Sequence, residues 1–131
     1  MSKPIIQLKN TSKSYPIAGK EFMALKKLDL SIQEAEFTGI VGPSGSGKTT
    51  LLNIIGSLDK PSTGDATVLG KEIKSLSHKE AASLRNFNIG FIFQVFNLLP
   101  VYTVFENVEF ALLLQKKSAL ERKKAVMKAL E

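Results

Sequence analysis

Hydrophobic and polar residues alternate along the first quarter of the chain with the two-residue period of a β-strand. In "ALKKLDLSI" (residues 24–32), Leu28, Leu30 and Ile32 alternate with polar neighbours. This pattern is typical of a half-buried antiparallel strand, and "PIIQLKNTSKSY" (4–15) predicts a strand before it. Further along, "ATVLGKEI" (66–73) predicts two short strands around Gly70.

Two short apolar runs lack this alternation. "FTGIVG" (37–42) and "IGFIF" (89–93) are hydrophobic on consecutive positions and rich in residues that favour strands. Strands that are buried on both faces of a parallel sheet have this composition. We therefore expect both runs to form buried strands.

Helical periodicity follows the glycine-rich stretch at residues 42–50. Apolar residues recur there at helical spacing: Leu51, Ile54, Ile55 and Leu58. Capping boxes, in which a Ser or Thr precedes a Glu by three positions, predict further helix starts at Ser77–Glu80, Thr103–Glu106 and Ser118–Glu121. The helix after Thr103 is apolar nearly all round, so we expect it to be buried or docked on a partner. The last helix is amphipathic through Leu120, Met127 and Leu130.

The order of these elements, a strand, a glycine loop, a helix and then more strands and helices, predicts an α/β fold. The length of 131 residues fits one domain, and 44% hydrophobic with 23% charged residues is a globular composition. The absence of cysteine excludes disulfides and thiolate metal sites. No apolar run approaches the roughly 18 residues of a membrane span, and we expect an intracellular protein.

The net charge of +6 does not by itself predict nucleic-acid binding. The lysines are scattered along the chain without an aromatic-interleaved patch, so we interpret them as a solvated surface. We expect no nucleic-acid partner.

The stretch "GPSGSGKTT" (42–50) fits a phosphate-binding loop between a strand and a helix. Its glycines allow unusual backbone angles and let main-chain N–H groups approach an anion closely. The helix that starts near Lys48 adds its dipole, and Lys48 adds a charge that can bridge two phosphates. The hydroxyl of Thr49 can bind Mg²⁺. The predicted binding residues are Gly42, Pro43, Ser44, Gly45, Ser46, Gly47, Lys48, Thr49 and Thr50.

The chain resembles the nucleotide-binding subunit of ABC transporters, closest to the lipoprotein-release and macrolide-export type. The likeness covers "IVGPSGSGKTTLLNIIGSLDKPSTGDATVLGKEI" and "LRNFNIGFIFQVFNLLPVYTVFENVEFALLL". It implies a P-loop NTPase-type core with an N-terminal antiparallel β subdomain and the start of a helical subdomain, truncated. The expected parts are residues 1–36, 37–93 and 94–131. The implied ligands are ATP and Mg²⁺, and the implied activity is ATP hydrolysis coupled to export or extraction of a substrate at the membrane.

The resemblance also implies roles for individual residues. Tyr15 matches the aromatic residue that stacks on adenine, although a tyrosine that closes an edge strand is the alternative. Gln94 matches the Q-loop glutamine that reaches Mg²⁺ or the attacking water. Together with the loop residues above, this gives Gln94 and Lys48 as the candidate catalytic residues. The candidate metal ligands are Thr49 and Gln94. Phe96–Pro100 and the helix after Thr103 resemble the surface that receives a membrane permease, although core packing explains them equally well.

The implied partners are this permease, as subunit or domain, and a second ATP-binding subunit in a homodimer. The implied location is the cytoplasmic face of the cell membrane.

The sequence departs from the family pattern in three respects. Thr49 replaces the usual serine with a chemically equivalent hydroxyl. Ala35 stands where the family commonly has glycine. The chain also has no "LSGGQ"-like stretch and no apolar strand that ends in Asp-Glu. We therefore expect nucleotide binding with negligible hydrolysis, and self-association of the unpaired strand at 37–41. A non-catalytic nucleotide-binding or interaction module remains the alternative, whereas a P-loop kinase or GTPase is disfavoured by "FQVFNLLP".

Overall fold

A computed structural model describes residues 4–131 of the chain. The strands in this part are β1 (Ile6–Ile17), β2 (Lys20–Ile32), β3 (Thr63–Val68) and β4 (Lys71–Glu72). The helices are α1 (Lys48–Ile55), α2 (His78–Asn88), α3 (Val104–Leu113) and α4 (Ala119–Leu130). The chain divides into two compact units, one up to Ser83 and the other from Leu84 to Glu131. Each unit is described by itself.

The four strands form one antiparallel sheet in the order β2-β1-β3-β4. The two predicted strands that form the first hairpin and the two predicted short strands around Gly70 are thereby confirmed. In β2, Ile32 is buried while Asp29 and Ser31 are exposed, as the alternation predicts. Strand β1 is irregular, because its register with β2 shifts between Leu8 and Ser14. Such bulges change which side chains face the core.

The core of the first unit lies between this sheet and α1. Leu51 and Ile54 of α1 are buried, and Ile54 has no exposed surface. Further buried side chains of this unit are Leu8, Leu25, Ile32, Ala66, Val68, Ile73, Leu76 and Ala81. Helix α1 ends at Ile55 with Gly56 as its C-cap, so the prediction that Leu58 continues the helix is wrong.

The apolar runs at 37–42 and 89–93 do not form strands, so both predictions are wrong. Phe37 and Ile92 are fully exposed. A strand exists only when its N–H and C=O groups pair with a neighbouring strand, and within residues 4–131 no strand pairs with either run. Hydrophobic composition alone therefore did not produce a strand here.

The turn after β2 contains Ala35, whose φ of 61° lies in the left-handed region. At this position the resemblance described above implies a glycine. In the same turn, the Glu36 carboxylate accepts a hydrogen bond from the main-chain N–H of Gln33 at 2.8 Å. Ala35 therefore adopts the backbone angle that favours glycine.

In the second unit α3 packs against α4, and both helices begin with the predicted capping boxes. Glu109 of α3 and Arg122 of α4 form a salt bridge of 2.8 Å. In α4 the buried side chain is Val126, whereas Leu120, Met127 and Leu130 are exposed. The apolar side of α4 predicted from Leu120, Met127 and Leu130 is therefore not its buried side. One neighbouring helix covers only a narrow line of side chains.

Helix α3 contains no buried residue. Its expected burial in a core therefore does not occur in this chain, and docking on a partner stays a prediction. The capping box at the start of α2 is confirmed by hydrogen bonds between Ser77 and Glu80 in both directions. Across residues 4–131, none of the helices has both the length and the hydrophobicity that crossing a membrane requires.

Candidate nucleotide-binding site

The glycine-rich loop leads directly into α1, which starts at Lys48 after the N-cap Gly47. Gly47 has φ 92° and ψ 4°, makes no side-chain cap, and no acidic residue lies in the first turn. The first N–H groups of a helix have no partner within the helix, and the dipole places partial positive charge there. The start of α1 thus presents donors and positive potential that no capping side chain neutralises.

Gly47 is also the point where the loop touches strand β2. A Cβ atom on Gly47 would lie 2.5 Å from the Ala24 carbonyl oxygen and 2.9 Å from Leu25 Cδ2. Gly45 has a similar backbone, with φ 78°, but a Cβ there would meet no atom within 4 Å. Only glycine therefore allows the loop to sit against β2 at Gly47.

The ammonium group of Lys48 lies against its own loop. Lys48 Nζ donates to the carbonyl oxygens of Gly42 at 2.8 Å and Pro43 at 2.6 Å, and to Ser46 Oγ at 3.3 Å. These acceptors are neutral, and Lys48 forms no salt bridge within residues 4–131. Its positive charge is therefore not balanced by a carboxylate and can attract an anion to the loop.

A cleft of about 540 Å³ opens beside the loop. It is lined by Phe22, Ala24, Ser44, Gly45, Gly47, Lys48, Thr49 and Thr50. Its volume lies in the range of small-molecule and cofactor sites. The structure thus brings six of the predicted loop residues to one cleft, while Gly42, Pro43 and Ser46 provide the atoms that hold Lys48. Thr49 is exposed, so its hydroxyl is accessible to a ligand.

Tyr15 belongs to a charged cluster beside this cleft. Its hydroxyl donates to Asp59 Oδ2 at 2.7 Å, and Lys13 Nζ lies 4.8 Å from the centre of its ring. Lys13 and Asp59 form a salt bridge of 2.6 Å. Among the described residues, those that line the cleft include Phe22 and not Tyr15. The adenine-stacking role of Tyr15 stays a prediction.

The pKa values of this cluster follow from its contacts. Burial and the hydrogen bond to Asp59 raise the pKa of Tyr15, and the Thr50 hydroxyl opposes this. Burial also acts to raise the pKa of Asp59, but hydrogen bonds from Lys13, Tyr15 and the Lys60 amide outweigh it and hold the pKa below its ordinary value.

Sequence reasoning missed Phe22, Lys13 and Asp59. Phe22 follows Glu21 in a segment without clear alternation, and its place beside the loop depends on the pairing of Phe22 with Tyr15 across the hairpin. Asp59 lies 44 residues from Tyr15 and 46 from Lys13. No local pattern could have revealed these contacts.

Gln94 lies on an exposed bend of the second unit. Its role in catalysis and metal binding stays a prediction. Within residues 4–131, no group of three or more His, Asp or Glu residues could hold a metal ion. A metal ion at this loop would therefore depend on hydroxyl and amide oxygens and on the phosphates themselves.

The sequence matches the family described as ABC transporter over residues 25–131. This chain belongs to that family. Similar curated proteins include an uncharacterised ABC transporter ATP-binding protein of Methanocaldococcus jannaschii, which is 43% identical over 97% of this chain and 54% of its own length. The lipoprotein-releasing system ATP-binding protein LolD of Pseudoalteromonas translucida is 40% identical over 100% of this chain and 56% of its own. The macrolide export ATP-binding/permease protein MacB of Pasteurella multocida is 41% identical over 98% of this chain and 19% of its own.

A solved structure supports the same assignment. The dimeric post-hydrolysis state of the ATP-binding cassette MJ0796 bound to ADP and Pi superposes with a TM-score of 0.87 at 43% identity, over 95% of this chain and 55% of that one. The predicted family and α/β fold class are thereby confirmed. ATP-binding domains of this family in general hydrolyse ATP with Mg²⁺, work with permease components and form dimers. This chain spans about half of the length of the first curated relatives that it matches.

Proposed function

We propose that this chain is part of the ATP-binding subunit of an ABC transporter of the lipoprotein-release or macrolide-export type. In this proposal the subunit couples ATP hydrolysis to export or extraction of a substrate at the inner face of the cell membrane. The observation that carries the proposal is the start of α1, where an uncapped helix end, a lysine without a counter-charge and a cleft of about 540 Å³ coincide. The names of two relatives, LolD and MacB, support the transporter type.

The residues of the loop fit a magnesium–nucleotide complex. Main-chain N–H groups at the start of α1 would hold phosphate oxygens, and Lys48 would exchange its contacts with Gly42 and Pro43 for charged phosphate oxygens, which are stronger acceptors. The exposed Thr49 hydroxyl would bind Mg²⁺, which neutralises charge on the phosphates when it is bound. Gln94 would orient the metal or the attacking water.

Binding of a fluorescent ATP analogue to the 131-residue chain tests the site. We expect binding that Mg²⁺ strengthens and that Lys48→Ala weakens at least tenfold, because a charged hydrogen bond contributes about 1.5–3 kcal/mol. Lys79→Ala, which removes an exposed lysine from α2, is the matched control. Equal affinities of the wild-type chain and Lys48→Ala would exclude this role of the loop.

We further propose that this chain binds ATP but hydrolyses it negligibly. Its sequence contains neither the family's signature motif nor an apolar strand that ends in a catalytic Asp-Glu pair. Hydrolysis needs an oriented water and stabilisation of the charge that develops on the phosphates, and Lys48, Thr49 and Gln94 supply only part of this. A phosphate-release assay is the measurement. Ordinary turnover that Lys48→Ala abolishes would contradict the proposal and also the non-catalytic alternative.

The permease surface is proposed to lie on the second unit. Phe96, Leu98 and Val101 are more than 60% exposed, and Val104 extends this apolar surface onto α3. Asn107 holds the segment in place, since its side chain accepts from the Leu99 amide at 2.8 Å and donates to carbonyl oxygens of the same segment. Four large apolar side chains exposed within nine consecutive residues are typical of an interaction site.

Association with the transporter's membrane subunit tests this surface. In cells that produce both proteins, we expect Phe96→Asp to reduce recovery in the membrane fraction, whereas Lys48→Ala retains it. Unchanged recovery of Phe96→Asp would exclude this surface. The proposed second partner is another copy of the ATP-binding subunit, because the solved neighbours are dimers.

A further inference from the structure

Helix α4 has an exposed face on which apolar and basic side chains lie side by side. Leu120, Lys123, Lys124 and Met127 follow the spacing i, i+3, i+4 and i+7, so they project from one side of the helix. Leu120 is 78% exposed, Met127 is 49% exposed, and both lysines are exposed. Val126, the buried residue of α4, lies on another side of the helix. This face therefore points away from the core of the second unit.

The charge of this face is positive along its middle turns. Lys128 lies one turn beyond Lys124 and is also exposed. Within residues 4–131, neither these two lysines nor Lys123 forms a salt bridge. The acidic residues of α4 are near its ends, where Glu121 belongs to the capping box and Glu131 is the C-cap. Three unpaired positive charges can therefore attract an anionic surface.

A narrow apolar line with lysines beside it fits the surface of an anionic lipid membrane. Lysine stems can lie along apolar surface while their ammonium groups reach charged headgroups. With 12 residues, α4 is about 18 Å long and too short to cross a bilayer, so it would lie in the plane of the interface. An acidic peptide would pair with the lysines but has no apolar groups for Leu120 and Met127. The combination therefore favours lipid.

We propose that α4 binds anionic lipid headgroups through Lys123, Lys124 and Lys128, with Leu120 and Met127 entering the interface. This contact goes beyond the proposed function, because it needs neither nucleotide nor permease. Helix α3, on which α4 packs, carries part of the proposed permease surface, so both contacts would be made by the same unit. Each lysine near an anionic membrane surface strengthens binding about fivefold.

Co-sedimentation of the 131-residue chain with lipid vesicles tests this contact. We expect much tighter binding to vesicles of phosphatidylcholine mixed with phosphatidylserine than to phosphatidylcholine alone. Lys123→Gln combined with Lys124→Gln should weaken binding to the anionic vesicles roughly 25-fold. Glutamine favours helices, so circular dichroism should show an unchanged fold. The matched control is Lys71→Gln combined with Lys74→Gln, which removes two exposed lysines of the first unit and should leave binding unchanged.

The apolar side chains distinguish a lipid surface from an acidic protein partner. Leu120→Gln should weaken binding to the anionic vesicles but not to polyglutamate, which is a soluble polyanion. If polyglutamate displaces the chain from vesicles and Leu120→Gln has no effect, the face binds an acidic protein segment and the proposal is wrong. Equal binding to both kinds of vesicle, or unchanged binding of the variant that lacks Lys123 and Lys124, would also overturn it. Loss of ATP binding with vesicle binding intact would count against the proposed function of the loop alone.

Discussion

Replacing Gly47 by alanine should damage the phosphate loop more than the same replacement at Gly45. Both residues have positive φ, 92° and 78° respectively, so both substitutions carry the cost of a left-handed alanine. At Gly45 the added methyl group meets open space. At Gly47 it meets the Ala24 carbonyl at 2.5 Å and Leu25 Cδ2 at 2.9 Å. The difference in stability between Gly47→Ala and Gly45→Ala therefore measures the contact between the loop and β2.

The magnitudes follow from these two costs. A left-handed conformation costs a residue other than glycine about 1–2 kcal/mol, which both variants share. Ordinary van der Waals contact begins at 3.4 Å, so the Ala24 carbonyl has to move or the loop has to lift. Overpacking of this kind costs about 1–3 kcal/mol. We expect a loss of about 1–2 kcal/mol for Gly45→Ala and about 2–5 kcal/mol for Gly47→Ala.

Urea unfolding can measure this difference in the first unit alone. The chain has two tyrosines, and in a Tyr102→Phe background the remaining Tyr15 reports on the unit that contains the loop. Tripolyphosphate binding to the same variants should fall further for Gly47→Ala, because the loop amides move with the backbone. Free energies of unfolding that agree within about 0.5 kcal/mol for the two variants would refute the proposed contact.

Four further predictions concern other sites. Asp59→Asn should lower the pKa of Tyr15 toward 10.0 in an ultraviolet titration, and an unchanged midpoint would contradict the hydrogen bond. Because folding lowers the pKa of Asp59, its stabilising effect is present above pH 3.8 and is lost as the pH falls further. Urea unfolding at several pH values should therefore show the difference in unfolding free energy between wild type and Asp59→Asn becoming smaller below this pH. A difference that stays constant with pH would disprove this. Ala35→Gly should raise the unfolding free energy by about 1 kcal/mol by relieving the left-handed alanine, which a loss of stability would rule out. Val41→Lys should reduce self-association of the exposed apolar run in light scattering; a wild-type chain that is already monomeric at high concentration would contradict this.

The features that the sequence predicted correctly depend on residues close together in the chain. Each capping box joins a hydroxyl and a carboxylate three positions apart, as Thr103 and Glu106 do. The β1–β2 hairpin joins neighbouring segments, and helix α1 starts directly after the glycine-rich stretch. Local geometry is sufficient for all of these.

The features that it predicted wrongly depend on distant partners. The run at 37–42 has the composition of a buried strand, but within residues 4–131 no neighbouring strand completes its hydrogen bonds. Similarly, Val126 and not Met127 is buried in α4, because the position of the neighbouring helix decides which side of a helix is covered. Periodicity identifies a helix but does not fix the direction of its contact.

The sequence by itself determined a glycine-rich loop directly before a helix, because glycines at fixed spacing act through the backbone on which they stand. Phosphate binding by this loop stays a prediction. Tertiary structure alone decided what surrounds that loop. The pairing of β1 with β2 sets Phe22 opposite Tyr15, and the pairing of β1 with β3 brings the segment that contains Asp59 to Lys13 and Tyr15. These contacts join residues up to 46 positions apart, and their geometry depends on strand register, which no short stretch of sequence specifies.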